Sequence, residues 1–219
     1  MKKTTARSIP IINVGVLLLL AGLIIAAIRP WAAWDAGRLP DIYGWNLFSY
    51  FTVQSNLIAA VVFVLAAIAI VRSKAYGDWF RYVRGSAVLY MLVTGIVYAL
   101  LLQNNPDANP TLGFDWKNFV LHQLGPIFII AWWLLWPSAK AITPREAWWW
   151  LIFPVVWIIY TLIRAQATGW YPYPFLNPDK VGGWGGVVLY MIGITLVFVA
   201  LSQFVAWISR ERHRNTSLY

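Results

Sequence analysis

Six apolar stretches, each about 20 residues long, constrain this chain more than any other feature of its sequence. They cover roughly 9–28, 48–71, 85–103, 117–136, 147–165 and 184–208. A helix of this length crosses the roughly 30 Å hydrocarbon core of a bilayer. Because the connecting loops are too short for a soluble domain, the sequence predicts one all-α domain over 1–219, a polytopic membrane bundle of six transmembrane helices.

Composition agrees with a membrane chain and excludes several other classes of protein. Hydrophobic residues make up 60% of the chain and charged residues 11%, whereas soluble domains carry about 25% charged residues. This balance excludes an ordinary soluble globular protein and a disordered chain. The sequence contains no cysteine, which also excludes a disulfide scaffold, cysteine catalysis, cysteine-bound zinc and iron–sulfur clusters.

Positive charge is distributed unevenly between the two sides that the six spans define. One side comprises the N-terminus, the second and fourth loops and the C-terminus, and it holds twelve of the 17 Lys and Arg residues. Such a bias marks the cytoplasmic side, so both termini are expected to be cytoplasmic. After the acidic residues are subtracted, this side carries the whole net charge of +9. The basic charge therefore reflects topology, and we expect no nucleic-acid partner.

The 15 tryptophans follow the same layout. All but Trp157 fall near the ends of the predicted spans, where amphipathic indole rings form belts at the two interfaces of a bilayer. The first span follows basic residues, like a signal peptide, but no small-residue cleavage site follows Ile28. We therefore expect this span to remain in the protein as a transmembrane helix.

Polar side chains within the spans are concentrated in the outer halves, and such residues are costly in a membrane and commonly functional. In span two, Ser49, Thr52 and Asn56 share one helical face because residues three and four apart are neighbours. In span four, Asn118 and His122 share a face, and Pro126 lacks the amide that would bond the His122 carbonyl. The other candidates for substrate or oxyanion contacts are Gln54, Ser55, Tyr98, Gln123, Trp157, Tyr160, Arg164 and Tyr190.

Thr52 and His122 are predicted to lie at the same depth. Thr52 follows Trp45 by seven residues and His122 follows Trp116 by six, which places both roughly 9–11 Å below the outer belt at about 1.5 Å per residue. One interpretation is that these groups only join helices by hydrogen bonds, as Ser, Thr, Asn and His do in membranes. The other is nucleophilic catalysis, in which an imidazole takes the proton of a hydroxyl.

The number of histidines narrows the possible chemistry. His122 is the only histidine inside a predicted span, and His213 lies on the basic C-terminal tail. Bis-histidine haem ligation would need a second intramembrane histidine, and no acidic residue lies deep in a span to share a metal ion with His122. The motifs of serine-hydrolase elbows, zinc proteases, P-loops and dinucleotide sites do not occur either. We therefore expect neither a metal ion nor a cofactor.

Three short segments carry a resemblance to a membrane family. They are Phe-Thr-Val-Gln-Ser-Asn at 51–56, Leu-His at 121–122 with Pro126 beyond it, and 168–176, which contains Tyr-Pro-Phe-Leu. Over about 45–200, the chain resembles the bacterial branch of the family whose animal members are the androgen-induced and the androgen-dependent TFPI-regulating proteins.

This resemblance implies an intramembrane threonine hydrolase that cleaves fatty acid esters of hydroxy fatty acids. Thr52 and His122 match the family's threonine in the second span and histidine in the fourth. Gln123 departs from the animal members, which carry a hydroxyl residue at that position.

From the residues and the resemblance we expect a carboxylic ester hydrolase of the bacterial plasma membrane, with Thr52 as the nucleophile and His122 as its base. The expected partners are the bilayer and a membrane lipid or long-chain acyl ester as substrate, and no protein partner can be identified. The alternatives are a small non-enzymatic transporter, a lipid-binding membrane protein or a purely structural bundle. A transporter of this size would be expected to show inverted repeats, which the sequence lacks.

Arg164 has two interpretations near the outer end of span five. Its long side chain can extend along the helix to the lipid headgroups, as basic residues near helix ends do. Alternatively, it faces inward on the same stripe as Trp157 and Tyr160 and holds a substrate carboxylate with its planar guanidinium.

Overall fold

The described part of the chain is helical. The structure is a computed structural model that describes residues 43–72, 77–106, 108, 116–135, 138 and 140–216. No strand occurs within these ranges, which confirms the all-α prediction for them. The first predicted span, 9–28, lies outside the described residues.

Within those ranges, five long helices coincide with the other five predicted spans. They are α1 (Phe51–Val71), α2 (Asp78–Leu102), α3 (116–135), α4 (Pro144–Thr168) and α5 (Trp184–Thr216). Helix α2 ends in a π-helical turn and α3 contains one, at Tyr98–Leu102 and Val120–Leu124. Short helical turns at Tyr43–Asn46 and Leu47–Ser49 precede α1, and two more, Pro174–Leu176 and Pro178–Lys180, lie between α4 and α5.

Three of the five helices, α2, α4 and α5, are long and apolar enough to cross a membrane by length and composition. Shorter apolar stretches occur in α1 and α3, at Phe51–Ala66 and Val120–Leu135. Large apolar side chains cover the outside of the bundle; Leu189 is 71% exposed and Ile163 67%. A bilayer solvates such a surface, whereas water does not. These properties are those of an all-α membrane protein.

Helix α2 lies at the centre of the described bundle, in contact with α1, α3 and α5. Phe63, Met91 and Ile129 are completely buried between these helices. Gly85 allows α2 to approach α4 closely, because a Cβ atom at this position would lie 2.5 Å from the ring of Trp150. The region between these helices is therefore a closely packed apolar core.

An ion-pair network closes one end of the bundle. Arg81, in the second turn of α2, donates two hydrogen bonds to Glu146 of α4, at 2.8 and 3.0 Å, and a third to the Ala141 carbonyl at 2.9 Å. Tyr82 also donates to Glu146. A bidentate guanidinium–carboxylate pair satisfies both charges, which allows Arg81 to be buried at the helix interface.

Several helix ends differ from the boundaries predicted by hydropathy, and three of them lie at charged residues. Helix α2 begins at Asp78 rather than near 85, and α4 begins at Pro144 rather than near 147. Hydropathy ends a span at its first charged residues, whereas charges that find partners allow the helix to continue. Helix α5 likewise continues past 208 to Thr216, and Arg212 in its last turns donates to two carbonyls at the end of α3.

The loop between α4 and α5 closes the opposite end. Helix α4 ends at Gly169, whose φ of 69° is in the left-handed region that glycine adopts without strain. The loop then turns back into the bundle, where the Tyr173 ring packs edge-on against Tyr50 with centroids 5.6 Å apart. This return places the loop at the N-terminus of α1.

Candidate active site

Thr52 lies in the first turn of α1 and is 6% exposed. Tyr50 precedes the helix in an extended conformation, and the Gln54 amide is the first to bond back to it, at 3.1 Å. The amides of Phe51, Thr52 and Val53 precede that bond, so they have no acceptor within the helix. The candidate nucleophile therefore shares its turn with backbone donors that are not used by the helix.

His122 lies in the π-helical turn of α3. Pro126 follows four residues later and cannot donate to the His122 carbonyl, so ordinary α-helical bonding cannot continue through this point. Gly95 of α2 packs against the turn, and a Cβ atom at Gly95 would lie 3.2 Å from the His122 carbonyl oxygen. The proline and the glycine together explain where the wide turn occurs and how closely α2 and α3 approach.

The structure brings Thr52 and His122 into contact. The Oγ1 atom of Thr52 lies 3.1 Å from Nε2 of His122, and Nδ1 of the same ring lies 3.2 Å from the carbonyl oxygen of Asn118. A carbonyl can only accept a hydrogen bond, so Nδ1 carries the proton and Nε2 is the acceptor for the Thr52 hydroxyl. The Tyr98 ring stacks on the imidazole, with centroids 4.2 Å apart and planes at 20°. Both the tautomer and the ring plane of His122 are thus set by neighbours.

A third side chain, Tyr173 of the loop between α4 and α5, reaches the same hydroxyl. Its oxygen lies 3.2 Å from the backbone nitrogen of Thr52 and 3.2 Å from Oγ1. The Tyr173 ring is buried and stacks on Phe175, with centroids 5.1 Å apart. Burial raises the pKa of the Tyr173 phenol, so the hydroxyl keeps its proton at neutral pH.

Asn56 joins the two helices of the Thr52–His122 pair. Its Nδ2 atom donates to the carbonyl of Thr52 at 2.9 Å and to the carbonyl of Leu121 at 3.1 Å. Its Oδ1 atom, like the hydroxyl of Ser55, is buried and has no hydrogen-bond partner among the described residues. Asn56 therefore holds the first turns of α1 against the π turn of α3.

The predicted stripe on α4 faces the segment that precedes Thr52. Trp157 donates from Nε1 to the Ser49 carbonyl at 3.0 Å, and the hydroxyls of Tyr160 and Ser49 lie 3.0 Å apart. Arg164 donates to the side-chain oxygen of Asn46. The three stripe residues thus share one face, and their partners are protein groups that hold residues 46–49 in place.

Arg164 does not simply extend towards the bilayer surface. Besides its bond to Asn46, its guanidinium lies over the ring of Trp170, 5.1 Å from the centroid. Its second terminal nitrogen, Nη1, is buried without a hydrogen-bond partner in the part of the chain that the structure describes. Among the described residues, one terminal nitrogen of the guanidinium is therefore a buried donor without an acceptor.

Three further sequence candidates are not hydrogen-bonded to the Thr52–His122 pair in the described ranges. Gln54 donates to the carbonyl of Phe48 at 2.7 Å. Gln123 follows His122 in the chain and is half-buried. Tyr190 lies on α5, where its ring approaches Phe175 with centroids 6.0 Å apart.

A small apolar cavity of about 50 Å³ adjoins both Thr52 and Tyr173. Phe198 and Ile194 of α5 line it and also line a pocket of about 130 Å³ between α4 and α5. Val97 and Ile194 belong as well to a groove of about 480 Å³ between α2 and α5, which Tyr190 also lines. Thr52 therefore adjoins an apolar cavity, and residues that line this cavity also line clefts on both sides of α5.

The residues that sequence reasoning missed as site members are Asn46, Ser49 and Tyr173. Asn46 lies about two turns and Ser49 about one turn before Thr52, and the sequence places Ser49 on the same face as Thr52 without including it among the candidates for substrate contacts. Tyr173 lies in a loop that has no helical or strand periodicity. The Tyr-Pro-Phe-Leu segment at 173–176 is the one sequence signal that includes it.

No group of three or more His, Asp or Glu side chains that could hold a metal ion occurs among the described residues. Comparison of the chain with protein-family models, curated proteins and solved structures finds no match.

Proposed function

We propose that this chain is an intramembrane hydrolase of lipid esters, with Thr52 as the nucleophile and His122 as its general base. The observation that carries the proposal is the 3.1 Å contact between Thr52 Oγ1 and Nε2 of His122, in the tautomer that can accept a proton. An activated nucleophile is usually a hydroxyl that is hydrogen-bonded to a base, and a third group orients that base. Here the Asn118 carbonyl takes the orienting position that a carboxylate has in a triad.

The proposed reaction has two stages. Thr52 Oγ1 attacks the ester carbonyl carbon while its proton moves to Nε2 of His122, and the carbonyl electron pair moves to oxygen. The tetrahedral intermediate then expels the alcohol, which takes the proton from Nε2 and leaves an acyl ester on Thr52. A water molecule attacks that ester with His122 again as base, which releases the fatty acid and restores the Thr52 hydroxyl.

The apolar space beside Thr52 supports a long-chain acyl substrate. The cavity at Thr52 and the adjoining clefts are lined almost entirely by apolar side chains, which suit hydrocarbon and not a charged or sugar-like ligand. An ester carbonyl can enter such a site directly from the bilayer. The resemblance of segments 51–56 and 168–176 narrows the proposed substrate to fatty acid esters of hydroxy fatty acids.

The proposed topology has six spans in a bacterial plasma membrane, both termini in the cytoplasm and the Thr52–His122 pair in the outer half. The bias of twelve basic residues against five supports it. So does the arrangement of the helix ends, because Arg81 and Glu146 meet at one end of the bundle and Thr52 and Tyr173 at the other.

Cysteine labelling tests this topology, and the absence of native cysteine removes any background. Asp179 and Lys140 are both exposed and lie at opposite ends of the bundle. In intact cells, Asp179→Cys is expected to react with a membrane-impermeant maleimide, whereas Lys140→Cys reacts only after the membrane is permeabilised. The reverse pattern would overturn the proposed orientation.

The activity itself is tested with purified protein and a mixture of lipid esters. We expect release of free fatty acid, detected by mass spectrometry, and no release by the Thr52→Ala protein. Fatty esters that bind to the parent protein but are never cleaved would contradict the hydrolase proposal and favour a lipid-binding protein.

We further propose that Arg164 holds the free carboxylate of such a substrate. Its Nη1 donor is buried without a partner among the described residues, and Asn46 and Trp170 fix the guanidinium plane. A planar guanidinium can give a carboxylate two parallel hydrogen bonds, whereas an ammonium group cannot.

Arg164→Lys is therefore expected to reduce turnover of a free-carboxylate ester by about 10- to 100-fold, the usual value of a hydrogen bond to a charged group. Turnover of the corresponding methyl ester should change little, and Arg145→Lys at the exposed opposite end serves as the matched control. An equal loss with both substrates would show that Arg164 only holds residues 46–49. No loss with either would show that it contributes nothing to the site.

A further inference from the structure

The hydrogen bonds around Thr52 have one consistent set of directions. The Asn118 carbonyl can only accept, so His122 donates from Nδ1 and accepts at Nε2. The Thr52 hydroxyl has one hydrogen, which it gives to Nε2, and it must therefore accept from Tyr173. The Tyr173 oxygen accepts in turn from the backbone amide of Thr52.

This chain of bonds prepares the Tyr173 hydroxyl to donate. An amide hydrogen bond to the phenol oxygen polarises its O–H bond, because linked hydrogen bonds strengthen one another. The backbone of Phe51 also contacts the phenol, so the hydroxyl lies at the first turn of α1, the positive end of the helix dipole.

The position of the hydroxyl is fixed by packing. The Tyr173 ring stacks on Phe175 at 5.1 Å, meets Tyr50 edge-on at 5.6 Å and lies 6.0 Å from Trp157. Donors held in place before the reaction stabilise developing charge most effectively, because no reorganisation is then needed.

The substrate carbonyl would enter the cavity of about 50 Å³ that Thr52 and Tyr173 both line. An ester that occupies this cavity and is attacked by Oγ1 would therefore lie beside the Tyr173 phenol. The oxyanion of the tetrahedral intermediate is carried by the carbon atom that is bonded to Oγ1. A donor 3.2 Å from Oγ1 is therefore within reach of it.

We propose that Tyr173 is a third catalytic residue, whose O–H turns from Thr52 Oγ1 to the former carbonyl oxygen and stabilises its negative charge by a hydrogen bond. This role rests on the proposed function of Thr52 and His122. When one lone pair of Oγ1 forms the bond to the carbonyl carbon, Oγ1 becomes an ester-like oxygen and a weaker acceptor than the new oxyanion, so the Tyr173 donor turns to the more negative oxygen.

Tyr173 donates a hydrogen bond without transferring a proton. The proton of Thr52 moves to His122 and later to the leaving alcohol, so the proton count is complete without Tyr173. Burial also raises the pKa of the Tyr173 phenol, which disfavours its ionisation during the reaction.

The test compares Tyr173→Phe with the parent protein on two substrates, p-nitrophenyl decanoate and its thiono analogue, in which a sulfur atom replaces the carbonyl oxygen. Phenylalanine keeps the ring contacts and removes only the hydroxyl. Tyr171→Phe, in the same loop and only partly buried, is the matched control. The ratio of the two kcat/KM values is internal to each sample, so it remains valid if part of the variant is unfolded.

For the oxygen ester, kcat/KM is expected to fall by about 100- to 1,000-fold, the usual effect of losing one oxyanion donor. For the thionoester the loss should stay below about tenfold, because sulfur is a weak hydrogen-bond acceptor. An equal loss with both substrates would mean that Tyr173 only positions Thr52, and no loss with either would mean that it is not used; both results overturn the role. Absence of Thr52-dependent turnover in the parent would instead overturn the proposed function, and this role with it.

Discussion

Thr52→Ala is expected to lower the turnover of a long-chain ester by about four orders of magnitude or more, the usual consequence of removing a nucleophile. The hydroxyl is the group that would form the covalent intermediate, and it lies 3.1 Å from His122 Nε2. The fold should be retained, because the change removes one hydroxyl and one methyl group at the edge of an existing cavity. Fatty acid release per folded protein in detergent measures the effect.

Two control variants separate this loss from damage to the bundle. Thr52→Ser keeps the hydroxyl and should keep measurable turnover. Thr161→Ala makes the same chemical change at a buried position whose hydroxyl has no partner in the described part of the chain, so it should leave turnover unchanged. If Thr52→Ala cleaves the ester at a rate similar to that of Thr161→Ala, Thr52 is not the nucleophile.

His122→Ala is expected to lower turnover by about 100- to 10,000-fold, the range that general acid–base catalysis contributes. The variant loses both the acceptor for the Thr52 proton and the group that protonates the leaving alcohol. Imidazole added to the buffer should restore part of the lost rate, because it can occupy the space beside Tyr98. The measurement is the rate of fatty acid release with increasing imidazole.

The chain offers a matched control for this change, since His213 is exposed near the end of α5. His213→Ala should turn over the ester at the parent rate. Parent-like activity of His122→Ala would rule out a base at this position, whereas a loss that imidazole cannot relieve would indicate a structural effect on α3.

The contact between Thr52 and His122 could be anticipated from the sequence. The number of residues between an interfacial tryptophan and a polar side chain gives the expected depth of that side chain in the membrane. The sequence predicts that Trp45 and Trp116 lie at the same interface, and a constant rise per residue then gives the depth of residues that follow each of them. The position of His122 on a π turn could not be anticipated. Pro126 indicates a break in the helix, but a proline can also produce a kink or an end.

The stripe on α4 shows the limit of periodicity. Helical spacing identifies Trp157, Tyr160 and Arg164 as one face but cannot say what lies opposite. For Arg164 the sequence leaves open a lipid headgroup or a substrate carboxylate; in the structure, Ser49 and Asn46 lie opposite the stripe. Those two partners are more than 100 positions away in the chain, and no local pattern connects them to the stripe.

Charged residues near the ends of helices explain why some helices extend beyond the predicted spans. Hydropathy treats Arg81 and Glu146 as boundaries, although each cancels the other's cost through two hydrogen bonds between α2 and α4. Ion pairs of this kind depend on tertiary structure. Helix boundaries predicted from a single sequence are therefore displaced wherever such a pair forms near the end of a helix. Tyr173 was missed for the same reason, since its partners lie about 120 positions earlier.

The central claim, that Thr52 is a nucleophile activated by His122, is tested most directly by identifying the residue that forms a covalent adduct. Purified protein is treated with a long-chain fluorophosphonate, digested and analysed by mass spectrometry, with the Thr52→Ala and His122→Ala proteins in parallel. We expect one adduct on the peptide that contains Thr52, none in Thr52→Ala, and much slower formation in His122→Ala. An adduct on another residue, or labelling of His122→Ala as fast as the parent, would contradict the account.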